Sequence, residues 1–165
     1  MADFRLSLTI EGQEVLDRSI ARFSEDLADL RTMWPDVLKV FHEIEAEQFA
    51  TQGHGSWQAL SPAYAKEKER DFPGRPILVR TGRMRDAFTK GGWTRVVIAN
   101  AHTLGILVDT DYWQAHQFGN QSHGLPQRKV VDLTSANVAA IMKVPQRYLV
   151  KAAKDAGLLR YGGTT

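Results

Sequence analysis

The chain has 165 residues, 43% of them hydrophobic and 24% charged, and no cysteine. That is the size of one domain, long enough to bury about two-thirds of its unfolded surface without a metal or a disulfide. The missing cysteine excludes thiol catalysis, disulfide staples and Cys-type zinc sites, and leaves the redox compartment open. The formal net charge of +2 is unevenly spread: residues 1–70 carry 8 basic and 13 acidic side chains, residues 71–165 carry 13 and 6. Balances of −5 and +7 fit two differently solvated faces of one domain, or acidic and basic surfaces that meet head to tail between copies.

The opening MADFRLSLTI has no basic leader and no apolar run, so it does not read as a signal peptide, and no stretch reaches the ~18 apolar residues of a membrane span. These features predict a protein made in the cytosol, with no membrane partner. Phe4, Leu6, Leu8 and Ile10 alternate with polar residues, the period of a half-buried strand. Leu16, Ile20, Phe23, Leu27 and Leu30 recur at spacings of four and three, the apolar stripe of a helix. Pro35 can open a second helix, with Val37, Leu38, Phe41, Ile44 and Phe49 inward and Glu43, Glu45 and Glu47 largely outward. The two helices are expected to pack on each other through these stripes.

A polar, Gly-rich loop follows over 51–55. Ser61 is the expected N-cap of a short charged helix from Pro62 to Arg70, and Thr81 that of a third helix to about Lys90, with Met84, Ala87 and Phe88 on its buried side. Gly82 weakens that helix's first turn and marks a close backbone approach. Trp93–Ala99 and Leu104–Asp109 read as a hairpin joined through Asn100–Thr103. A helical turn over Tyr112–Phe118 ends at Gly119, and residues 128–133 read as extended. Thr134 or Ser135 caps a last helix, which Pro145 restarts or kinks and Gly157 ends.

The order His42-Glu43-Ile44-Glu45-Ala46-Glu47 lacks the second histidine that would share a zinc with the first, so it reads as an acidic helix face. His54, His102, His116 and His123 are scattered, and neither Ser56 nor Ser61 has a nucleophile-elbow context. No catalytic, metal or cofactor constellation emerges. Arg80, Arg83, Arg85, Lys90 and Arg95 cluster around the third helix without forming one stripe, where a nucleic-acid footprint needs a denser basic face with interleaved aromatics. Trp57, Trp93, Tyr112, Trp113 and Phe118 lie at the edges of elements; Trp57, on its Gly-rich loop, is the one read as an interface anchor.

Three segments taken in order resemble the phage virion morphogenesis family, the tail completion and head–tail joining proteins of the Mu and P2 type. They are Trp57-Gln58-Ala59-Leu60-Ser61-Pro62 with Tyr64 and Lys66; Ile77-Leu78-Val79-Arg80-Thr81-Gly82-Arg83-Met84-Arg85; and Tyr112-Trp113-Gln114-Ala115-His116-Gln117-Phe118-Gly119 followed by Leu125-Pro126-Gln127-Arg128. Lys129-Val130 and Pro145 depart from the family pattern. The resemblance implies one α+β domain over residues 1–157, a small antiparallel or mixed sheet with a β-hairpin packed against two long N-terminal helices and a C-terminal helix. Residues 158–165 are expected to form a disordered tail.

The resemblance also implies a structural protein of the virion tail or neck, without catalysis or cofactor. It would be assembled in the host bacterial cytoplasm as a homo-oligomeric ring, of hexameric order for example, that terminates or completes the tail. Its partners would be tail-tube and head–neck proteins, with DNA passing through the lumen unread. Expected contact residues are Trp57, Arg80, Arg83, Phe118 and Arg128, drawn from loops 51–61, 71–80 and 119–130. Ser61, Pro62, Thr81, Gly82, His116, Gly119 and Pro126 are expected to shape the motifs. The alternative is a nucleic-acid-binding accessory protein of phage assembly.

Overall fold

The computed structural model describes residues 13–91, 94–110 and 112–159, with the backbone alone for 94–99. The alternating segment Phe4–Ile10, Trp93 and the 160–165 part of the expected tail lie outside the described residues.

Helices dominate. α1 spans Gln13–Ala28, and a single 3-10 turn at Arg31–Met33 leads into α2, Trp34–Ala50, with Pro35 in its first turn, where a missing amide costs nothing. α3, Pro62–Asp71, starts at Ser61, whose hydroxyl accepts from the Tyr64 amide at 3.4 Å. α4, Arg83–Thr89, is capped by Gly82 in a left-handed conformation instead of by Thr81, whose hydroxyl reaches only the Arg83 amide at 3.4 Å. Strands β1, Thr94–Ala99, and β2, Leu104–Val108, pair antiparallel with an irregularity between Val96 and Ile98. α5, Trp113–Phe118, stops at Gly119. α6, Ser135–Asp155, is capped by the Thr134 hydroxyl and runs through Pro145 without interruption.

The α+β expectation is therefore wrong. Among the described residues the β structure is one two-stranded ribbon and an isolated bridge between Asn120 and Leu125, and the helices pack on one another instead of on a sheet. The reason is visible at residues 128–131, the extended segment that a sheet would have needed. Its backbone groups are taken by side chains. The Gln117 amide accepts from the Val130 and Val131 amides at 2.8 and 2.9 Å and donates to the Val131 carbonyl at 2.9 Å. The Lys129 carbonyl accepts from Gln48 at 3.0 Å and from the Trp57 indole at 2.9 Å. With its polar groups satisfied this way, the segment has no need of a neighbouring strand.

The core gathers Phe49, Trp57, Val79, Met84, Phe88 and Val130 where α2 meets α4 and the long loops. Trp57 meets Phe49 edge-on with centroids 5.5 Å apart, and Phe88 meets Trp113 likewise at 5.8 Å. His42 ties α2 to α4 by donating from Nδ1 to the Phe88 carbonyl at 2.6 Å. α1 departs from expectation as well: its main packing partner is α6, not α2, and no residue of it is buried.

Candidate functional site

Residues that lie far apart in sequence converge on one node, where the 51–61 loop meets residues 116–131. The turn begins where α2 ends. Gly53 lies in the left-handed region (φ +68°), and a Cβ placed there would fall 2.4 Å from the Trp57 ring, so only glycine lets the loop close over that indole. Arg128, itself almost fully buried, crosses the same gap in the other direction. Its Nε donates to the Gln58 carbonyl at 2.7 Å and its Nη2 to the Ala59 carbonyl at 3.1 Å. The Arg128 amide donates to the His116 carbonyl at 2.8 Å, which fixes α5 to the same segment. Gly119 closes α5 at φ +74°, with the Gln127 backbone so near that a Cβ would sit 3.0 Å from its nitrogen.

Charge is handled unusually in this interior. Burial, and then the charge of Arg128, hold both the Lys68 ammonium and the His116 imidazole below their ordinary values. Lys68 is relieved by donating to the Pro76 carbonyl. Glu45 is fully buried on α2, and neither carboxylate oxygen has a hydrogen-bond partner among the described residues; burial pushes its pKa up to about 8. The same holds of partners for Gln48 Oε1, Thr110 Oγ1 and His116 Nδ1. Unlike Glu43 and Glu47, which are exposed, Glu45 thus faces inward, against the sequence expectation, and as the neutral acid at pH 7.

The residues expected at contacts divide in two. Trp57 and Arg128 serve the interior of the subunit, and a partner could reach them only by opening the loop. Arg80, Arg83 and Phe118 stay at the surface. Arg80 stacks over the Phe72 ring, its guanidinium carbon 4.9 Å from the centroid. Phe118, at the end of α5, is 74% exposed. Ser61 and Pro62 open α3, Thr81 and Gly82 precede α4, His116 and Gly119 shape α5, and Pro126 is half-buried just before the stitched segment.

Sequence reasoning missed Gln48, Gln117, Glu45 and Lys68. The signal available for two of them was a polar residue at a core-facing helical position: Gln48 adjoins Phe49, and Glu45 lies one turn before it. Nothing comparable marked Gln117 or Lys68.

Two open clefts flank α2. One, of about 700 Å³, lies between α2 and α6; the other, of about 550 Å³, lies between α2 and the end of α4. Among the described residues no three His, Asp or Glu side chains are placed to hold a metal ion, and no helix is long and apolar enough to cross a membrane. The arrangement offers rigid, apolar and cationic surface groups on a well-tied interior. Compared with known proteins, the chain matches no family model, no curated protein and no solved structure.

Proposed function

We propose that the chain is a structural assembly protein of a tailed-phage virion, one subunit of a ring at the tail end or head–tail neck that completes the tail and permits head joining. The ring surrounds the DNA path without reading sequence, and its neighbours are tail-tube and head–neck proteins. The observation that carries this reading is Phe118, a large aromatic left 74% exposed at the end of α5. It is not a loose side chain on a loose loop. Gly119 behind it is locked against Gln127, and His116 before it is bonded to Arg128. Exposed aromatics on rigid supports are what interfaces use as anchors, since little conformational freedom is lost on binding. Arg80 and Arg83 add exposed guanidinium groups suited to a partner's carboxylates. The order of the three sequence motifs supports the same reading.

The test is to delete the gene from the genome that carries it and image the lysate by electron microscopy. Filled heads beside unattached tails of uncontrolled length are the expected result. Normal joined particles would sink the proposal.

A further inference from the structure

A second surface suited to contact is made by α1 and α6. α1 runs antiparallel to α6: Ser19 lies against Gly157, and Asp26 is close enough to Lys151 to act on its charge. The chain turns back at Gly157, the Leu158 amide donating to the Ala153 carbonyl at 2.9 Å. The residues of α1 before Ser19 therefore extend beyond the end of α6, by about 9 Å at 1.5 Å per residue. That stretch of α1 carries Val15 and Leu16, both half exposed, with Ile20 half exposed just behind them, and Glu14, Asp17 and Arg18 beside them. It is an apolar patch with a mainly acidic rim.

The α2–α6 cleft has the complementary character. It is lined by the apolar Val40, Ala140 and Val150 and by four bases, Lys143, Arg147, Lys151 and Lys154, which outnumber the two acids, Glu43 and Asp155. Lys151 is engaged by Asp155 at 2.7 Å, whereas Lys143 and Arg147 have no ion pair among the described residues. At the two surfaces themselves Glu14 and Asp17 outnumber Arg18, and the four bases of the cleft outnumber its two acids, so the two carry opposite net charge. We propose that this patch of α1 in one subunit seats in the α2–α6 cleft of the next, as a head-to-tail contact between copies of this chain.

Such a contact is heterologous: each subunit offers both patch and cleft, and repetition gives a ring where the rotation per copy closes and a filament where it does not. Val15 and Leu16 supply the apolar area, while Glu14 and Asp17 against Lys143 and Arg147 set the register and the rate of association. The inference rests on the ring reading above and deepens it by naming the surfaces that join.

The absence of cysteine makes the test clean. The paired variant Leu16→Cys with Val150→Cys, oxidised with diamide, should yield a ladder of disulfide-linked dimers and larger species on a denaturing gel. Neither single variant should go beyond dimers. Separately, Glu14→Lys with Asp17→Lys, or Lys143→Glu with Arg147→Glu, should weaken self-association at least tenfold by light scattering. All four positions are exposed, so the melting curve should not move. Carrying all four reversals on one chain should restore association.

A discrete oligomer whose mass ignores the reversals, with no ladder, would overturn this interface and leave the ring standing. A monomer at every concentration would overturn it too, with the lysate experiment still deciding the wider function. Loss of DNA binding on Lys143→Glu with Arg147→Glu, without change in self-association, would hand the cleft to nucleic acid and overturn the inference.

Discussion

Two regions of this molecule handle apolar and polar groups in opposite ways. At the node of residues 51–61 and 116–131 there is little regular secondary structure, yet Trp57, Val130 and Arg128 are buried and backbone groups from 128 to 131 are met by named side chains. In the α1–α6 layer both helices are long and regular, yet α1 buries no residue, and Val138, Met142, Leu149 and Val150 of α6 stay exposed. The lesson is that periodicity reports which residues share a face, while burial depends on whether anything covers that face. The tight region is the one with weak patterns, because side-chain hydrogen bonds do not recur with any period.

Truncating the node should do the most harm. Trp57→Ala removes the indole that packs on Phe49 and donates to Lys129, and should cost about 3–5 kcal/mol, read as a lower denaturant midpoint. Arg128→Ala leaves the Gln58 and Ala59 carbonyls without their donor, for a loss of about 3 kcal/mol. An Arg128 variant that melts like the parent would show that the node is not what holds the loops.

Glu45→Gln should act in the other direction, and only at higher pH. Below its ordinary value of 4.5 the acid is protonated in both folded and unfolded chains. Between 4.5 and about 8 the unfolded chain releases the proton while the folded one keeps it, so stability falls as pH rises and the loss is complete above about 8. The glutamine variant lacks this slope and should gain on the parent by about 4 kcal/mol at pH 8, with no gain near pH 4. Parallel pH profiles would mean that the carboxyl is solvated.

At the surface, Phe118→Ala should shift stability by less than about 0.5 kcal/mol, because the ring is mostly in water already. It should still weaken assembly about tenfold, measured as solution mass against concentration. The smallest effect belongs to the α1–α6 side: breaking the exposed Lys151–Asp155 pair with Lys151→Ala should leave the melting curve almost unmoved.

Helix boundaries were largely legible because caps and stripes are local. Pro35, Ser61, Thr134 and Gly119 all stand at or next to the ends they were expected to mark. Pro145 does not restart the helix: α6 is continuous from Ser135 to Asp155 with the proline inside it. The sheet was misjudged at residues 128–133: an extended segment and a strand look alike in sequence, and what separates them is the partner, here an amide on α5 13 and 14 residues before the two it caps. Trp57 reads as a contact residue because it is a large aromatic on a Gly-rich loop, and Arg128 because an arginine fork suits a partner's carboxylate. Their burial depends on a tertiary closure that no local pattern encodes.

The Gln117 amide also bears on how copies of the chain can meet. An open strand edge is a template: its free amides and carbonyls accept another chain, which then offers the same edge again, without limit. In residues 128–131 the Val130 and Val131 amides are already capped by a side chain from the same subunit. Backbone-templated stacking cannot start from them. At this segment that route is shut within the monomer, before any two copies meet.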